Sequence, residues 1–181
     1  MLRKSLKFIL VLLAIYLGAV VLSHAVIFQT IPRALKNSFA EDAKIKRKNL
    51  FLTKKKLKKA QALAGSHVKL GEGLVTYYQG FRNGKLVGTV FIDTHRVRTL
   101  NETLLILVSP SGKIEKIEVL RFLEPQDYML PERWVNQLLG KTLTPGLNLN
   151  QDIAGITGAT LTAQAYTLAT RRVLAYYKFI R

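Results

Sequence analysis

The spacing of apolar and polar residues changes character along the chain. From Phe8 to Phe28 there is no charge, and His24 is the only side chain that ionises near neutral pH. At a helical rise of about 1.5 Å per residue, that run is long enough to span a bilayer core. The run predicts one N-terminal transmembrane helix, an anchor over residues 1–31. The alternative is a signal peptide cut after Ser23-His24-Ala25. Val26, Ile27 and Phe28 prolong the apolar run past that point, which favours the anchor. Pro32 is expected to end the apolar helix or to lie just past it.

Residues 32–64 read as a basic linker with one short helix. Leu35, Phe39, Ile45, Leu50 and Leu52 are scattered among lysines without a period. Thr53 is placed to cap a helix from Lys54 to Ala64, closed by Gly65. From Leu74 the pattern becomes that of strands. Residues 74–81 and 85–92 are rich in β-formers and flank Asn83-Gly84, a strong two-residue hairpin signal. Gly88 predicts a bulge or a close neighbour. Thr103 to Ser109 is nearly all apolar, turns at Pro110-Ser-Gly112, and returns as Lys113 to Leu120. Pro131 opens a short helix, Glu132 to Leu139, stopped by Gly140. The chain ends in a helix from Leu161 to Ile180, with Tyr166, Ala169, Val173, Tyr176 or Tyr177, and Ile180 as its packing stripe. The expected fold is α+β over residues 65–181: a mainly antiparallel sheet of two successive hairpins packed with the C-terminal helix.

Charge sharpens this division. The formal net charge of +17 is unevenly spread, with 14 Lys/Arg against 2 acids in residues 1–63 and 14 against 9 in residues 64–181. A folded part this mildly basic argues against a dedicated nucleic-acid surface. The lysines of the Lys54–Ala64 helix fit either a solvated face or anionic lipid headgroups, and Lys44 to Lys59 together would suit a basic membrane-surface or nucleic-acid binder. The chain has no cysteine, which excludes disulfides and thiolate metal sites. His24, His67 and His95 are too scattered for a metal site, with His95 read as facing solvent at a strand end. Arg171 and Arg172 read as a solvated, dipole-compatible helix end. No motif of a hydrolase or kinase is present.

The candidate chemistry sits at Asp152-Ile-Ala-Gly-Ile-Thr-Gly-Ala-Thr160, directly before the last helix. Gly155 and Gly158 give permissive backbone, and Thr157, Thr160 and Thr162 surround the first turn. A helix start with small residues suits a phosphate. The bland alternative is a Thr N-cap after a glycine turn.

Thr157-Gly-Ala-Thr160-Leu-Thr162 resembles the Ser/Thr-Gly-Ala-Thr signature of the FMN-binding domain family, and the resemblance covers roughly Leu52 to the C-terminus. That domain occurs in the Rnf and sodium-translocating quinone reductase complexes and in membrane regulators of nitrous oxide reduction. The resemblance implies FMN attached by a phosphoester to Thr160, installed by a flavin transferase. It implies a binding site of Thr157, Gly158, Ala159, Thr160, Leu161 and Thr162, bordered by Leu123, Glu124, Pro125 and Tyr128. Tyr128 and Trp134 are candidates for apolar cover of the flavin, with core packing as the alternative for each. Glu124 is read as orienting the chain or facing the flavin, not as catalytic.

The implied role is an electron carrier subunit rather than a stand-alone enzyme. Its donor would be a quinol-linked or haem membrane partner, and its acceptor a soluble reductase or another carrier. The implied location is the cytoplasmic membrane, single-pass, N-terminus in, with the domain on the extracytoplasmic (periplasmic) side. Arg3, Lys4 and Lys7 favour that orientation. Arg33, Lys36, Lys44, Lys46, Arg47 and Lys48, counted strictly, favour the reverse. The family pattern is broken twice: Ala154 stands where Asp is common, and Ala163 where Ser is common. The alternative they leave open is a flavin-less structural or assembly subunit of a membrane redox complex.

Overall fold

The computed structural model describes residues 26–180. Most of the expected anchor lies outside the described residues, and among those described no helix is long and apolar enough to cross a membrane. Strands β1 (Val26–Ile27), β2 (Lys44–Phe51), β3 (Leu74–Arg82), β4 (Lys85–Arg96), β5 (Asn101–Val108) and β6 (Ile114–Phe122) form one six-stranded sheet. Its order is β1-β6-β5-β4-β3-β2, and every pairing is antiparallel. The helices are α1 (Ile31–Ser38), α2 (Lys54–Ala64), α3 (Glu132–Val135) and α4 (Thr160–Tyr177). The architecture is α+β, as the periodicity implied.

The two expected hairpins are the core of a longer meander, because β4 also pairs with β5 through the turn at residues 97–100. Asn83 and Gly84 both have positive φ, 51° and 77°, the geometry a two-residue turn needs to follow the strand twist. Gly88 meets both expectations. It sits opposite Gly80, where the β3–β4 register shifts. A side chain there would come within 2.8 Å of Leu107 Cδ1, while the Phe39 ring lies across the two glycines.

Three stretches differ from the sequence reading. Lys44–Phe51, read as linker, is a full strand paired with β3 from Lys44↔Phe81 to Phe51↔Leu74. Its lysines suit an edge strand, where charge discourages further pairing, and they hide the alternation that marks a strand. Lys46 and Lys48 rest over the Phe81 ring at 5.2 and 5.6 Å. Val26 and Ile27, expected inside the anchor, form an edge strand on β6. Residues 31–38, read as the end of the anchor and linker, form α1, with Pro32 just past the apolar run in its first turn, where proline is tolerated because the N–H has no partner.

One face of the sheet buries Phe91, Leu104, Ile106 and Val108 against Tyr166, Val173 and Tyr177 of α4. The other buries Val90, Leu105, Leu107 and Leu120 against Ala34 and Leu35 of α1. Helices on both faces explain why β5 is apolar without alternation. The helix over Lys54–Ala64 forms as expected, with Thr53 Oγ1 accepting from Lys56 N at 3.4 Å. The helix after Pro131 is shorter than expected: α3 ends at Val135 and a 3-10 turn continues to Leu138.

The solvated end expected for the α4 arginines is not what forms. Arg171 is buried and donates to the carbonyls of Ala64 (2.7 Å), Thr144 (3.0 Å) and Leu147 (2.9 Å). Arg172 holds Asp93 with two bonds of 2.7 and 2.6 Å. Local sequence cannot reveal this, because the acceptors lie far along the chain, at the end of α2, in β4 and in the loop after α3.

Candidate functional site

The start of α4, the β4–β5 turn and the segment after β6 meet at one end of the fold. Gly158 has φ +87° and no atom near the position of a β-carbon. Backbone conformation, not crowding, selects glycine there. The turn ends at Ala159, and α4 begins at Thr160 with no side chain capping it. The first-turn N–H groups of a helix have no intrahelical partner and carry the positive end of its dipole.

The three threonines have different roles. Thr162 is buried, and its hydroxyl donates to the Tyr128 carbonyl at 2.8 Å. That bond ties α4 to the 3-10 turn Gln126–Tyr128, which Pro125 precedes and whose Tyr128 N–H donates back to Pro125 at 3.0 Å. Thr160 is exposed, and its hydroxyl donates to the Ile156 carbonyl at 2.9 Å. Thr157 is exposed and lies outside the cleft.

Between these elements lies a cleft of about 280 Å³, lined by Tyr128, Gly158, Ala159, Thr160, Leu161 and Thr162, together with Arg98. Arg98 was not anticipated. Its guanidinium sits 4.4 Å from the centre of the Tyr128 ring, a cation–π distance. The only hint in the sequence is a pair of cations, Arg96 at the end of β4 and Arg98 in the turn after it.

Glu124 does not face the cleft. It is buried behind the turn, accepting the backbone N–H groups of Arg98 (3.0 Å), Thr99 (2.6 Å) and Leu100 (2.8 Å). Burial opposes its charge, but these donors outweigh it and hold the carboxyl below the usual glutamate range. Glu124 thus orients the segment that carries Arg98. Trp134 is core. Its indole donates to the Ala154 carbonyl at 2.8 Å and meets Tyr166 edge-on. Gln137 accepts the Ala154 N–H at 2.9 Å. The signature loop is therefore pinned at residue 154 through its backbone, with no carboxylate.

A larger cleft of about 740 Å³ opens where β3 and β4 part beyond the Tyr77↔Phe91 pair. Leu70, Val75, Ile92 and Leu168 line it, with Arg172 and His95. His95, expected in solvent, is largely buried here. Its Nδ1 lies 2.8 Å from Asp93, and its Nε2 lies 3.5 Å from Glu102, an ion-pair separation rather than a hydrogen bond. Burial opposes its protonation, but the two carboxylates prevail and raise its pKa. Glu102 is also raised, chiefly by burial. Among the described residues no group of His, Cys, Asp and Glu is placed to hold a metal ion.

Comparison with known proteins adds one match. Residues 100–175 match the family model described as FMN-binding domain. They take in β5, β6, the cleft except Arg98, and most of α4. No curated protein matches the chain.

Proposed function

We propose, on the premise that this chain belongs to the FMN-binding domain family through residues 100–175, that it is a membrane-anchored flavoprotein relaying electrons through FMN attached to Thr160. The family match supports a flavin-binding protein. The covalent link, the anchor and the relay are the proposal. Its mainstay is Thr160 itself: an exposed hydroxyl inside a cleft, at an uncapped helix start, beside Arg98.

The residues fit a phosphate ester. The first-turn N–H groups of α4 and the Arg98 guanidinium would meet the negative charge left on the phosphodiester. Gly158 and Ala159 keep the approach free of side-chain bulk. Tyr128 offers an aromatic face, and Leu161, 48 % exposed, an apolar one. Glu124 holds Arg98 in register from behind. Bound FMN supplies the redox chemistry, and the chain supplies position and charge.

In this reading residues 1–25 anchor the protein in the cytoplasmic membrane with the domain on the extracytoplasmic side. The donor is a quinol-linked or haem partner in the membrane, and the acceptor is a soluble carrier or reductase. A flavin transferase completes maturation. Intact mass and in-gel fluorescence of the protein from cells with an active transferase test the link. An FMN adduct that survives denaturation and is lost in Thr160→Ala is expected. A native polypeptide with the mass of its amino acids alone overturns it. Ala154, which offers no carboxylate where the family often has one, favours the flavin-less subunit should that result appear.

A further inference from the structure

The direction of each strand fixes which end of the fold adjoins the apolar N-terminal stretch. Val26 pairs with Phe122, Phe122 with Glu102, and Glu102 with His95. These residues form one row across the sheet, next to the β4–β5 turn. The chain therefore enters the fold at the end that carries residues 97–100. Arg98 and Thr160 share a cleft at that same end. The other end of α4 is marked by Tyr177, whose hydroxyl donates to Ser109 in the β5–β6 turn at 2.8 Å. No spacer separates the fold from the apolar run, because β1 lies within the uncharged stretch that begins at Phe8.

The surface at this end matches that placement. Phe28, Ile31, Leu74, Leu100 and Leu161 are 47, 38, 58, 37 and 48 % exposed. Phe51 and Leu74 pair at the end of β2 and β3, so α2 starts here. Its first turn brings Lys54, Lys55 and Lys56, all exposed. Apolar side chains beside a cationic helix turn are the chemistry of an interface with anionic lipid headgroups.

We infer that the end of the domain bearing Thr160, Leu100 and the start of α2 lies against an anionic bilayer surface, with the strands standing away from it. This rests on the anchoring in the proposed function, but not on the flavin. Its consequence is that the cofactor cleft opens toward the headgroup layer, within reach of a redox partner embedded in the membrane. The β5–β6 turn faces bulk water.

The chain has no cysteine, so single labels are unambiguous. Leu100→Cys and Lys85→Cys variants of the full chain, each carrying a fluorophore, are incorporated into phosphatidylglycerol–phosphatidylcholine vesicles containing headgroup-nitroxide lipid. β4 spans 12 residues, so the two labels differ in height by roughly 35 Å. The expected result is severalfold greater quenching of the label at position 100 than at position 85, in both the wild-type and Thr160→Ala backgrounds. Equal quenching, or greater quenching at position 85, in protein that floats with the vesicles overturns this inference alone. Protein that fails to float overturns the anchoring and this inference together, and neither result bears on the flavin link.

Discussion

Glu124 and Thr99 are joined by a 2.6 Å hydrogen bond in which a buried carboxylate receives a backbone N–H from the β4–β5 turn. The same oxygen also accepts from Arg98 and Leu100. A single side chain thus converges three donors of one turn and sets where Arg98 stands relative to Thr160. Glu124→Gln keeps the shape and one acceptor oxygen but removes the charge. Chemical denaturation is expected to show a loss of about 1–3 kcal/mol. FMN incorporation should slow with it, because Arg98 loses its register. Unchanged stability would show that the turn does not depend on the carboxylate.

Thr160 and Thr162 are separable. Thr160→Val removes an exposed hydroxyl and should change stability by no more than about 0.5 kcal/mol, while abolishing the flavin adduct. Thr162→Val removes the bond to the Tyr128 carbonyl and should cost about 1 kcal/mol while the adduct remains. Mass spectrometry and thermal melting on the two variants check both halves.

His95 gives a pH signature. Its pKa is raised in the folded protein, where Asp93 and Glu102 flank it and Arg172 and Tyr166 of α4 close the surroundings. A group raised on folding adds stability that is complete below its unfolded value, roughly pH 6.5. That contribution is lost as pH climbs through the folded value. The melting temperature should therefore fall from mildly acidic to mildly alkaline pH. The raised Glu102 acts in the same direction, because burying its charge grows costlier as it ionises. His95→Gln should flatten the slope while the Arg172–Asp93 pair stays intact.

Arg171 should resist substitution. Arg171→Met leaves the buried acceptors at Ala64 and Leu147, and the part-buried one at Thr144, without their donor, at about 1–3 kcal/mol for each that water cannot reach. A loss of about 3 kcal/mol or more is expected by urea titration. Arg171→Lys should recover only part of it, because one ammonium cannot reproduce the guanidinium fork.

Much of the fold follows from neighbours along the chain. The Asn83-Gly84 hairpin, the helix from Lys54 to Ala64 and the terminal helix with Thr160 at its start all depend on local periods and turn chemistry, so the sequence alone specifies them. The composition of residues 103–108 likewise specifies a strand covered on both sides. Edge strands were hidden where charge broke the alternation, as in Lys44–Phe51, or where an apolar run read equally well as helix, as at Val26–Ile27. Tertiary structure alone decided the surroundings of the ionisable groups. Arg171 is buried because carbonyls 24, 27 and 107 residues away converge on it. Glu124 holds a turn from 24 to 26 residues away, and Arg98 shares a cleft with Thr160 only because the turn after β4 lies near the start of α4. The reason is physical: a charge is governed by what lies within a few ångströms of it in space, and linear order does not record that.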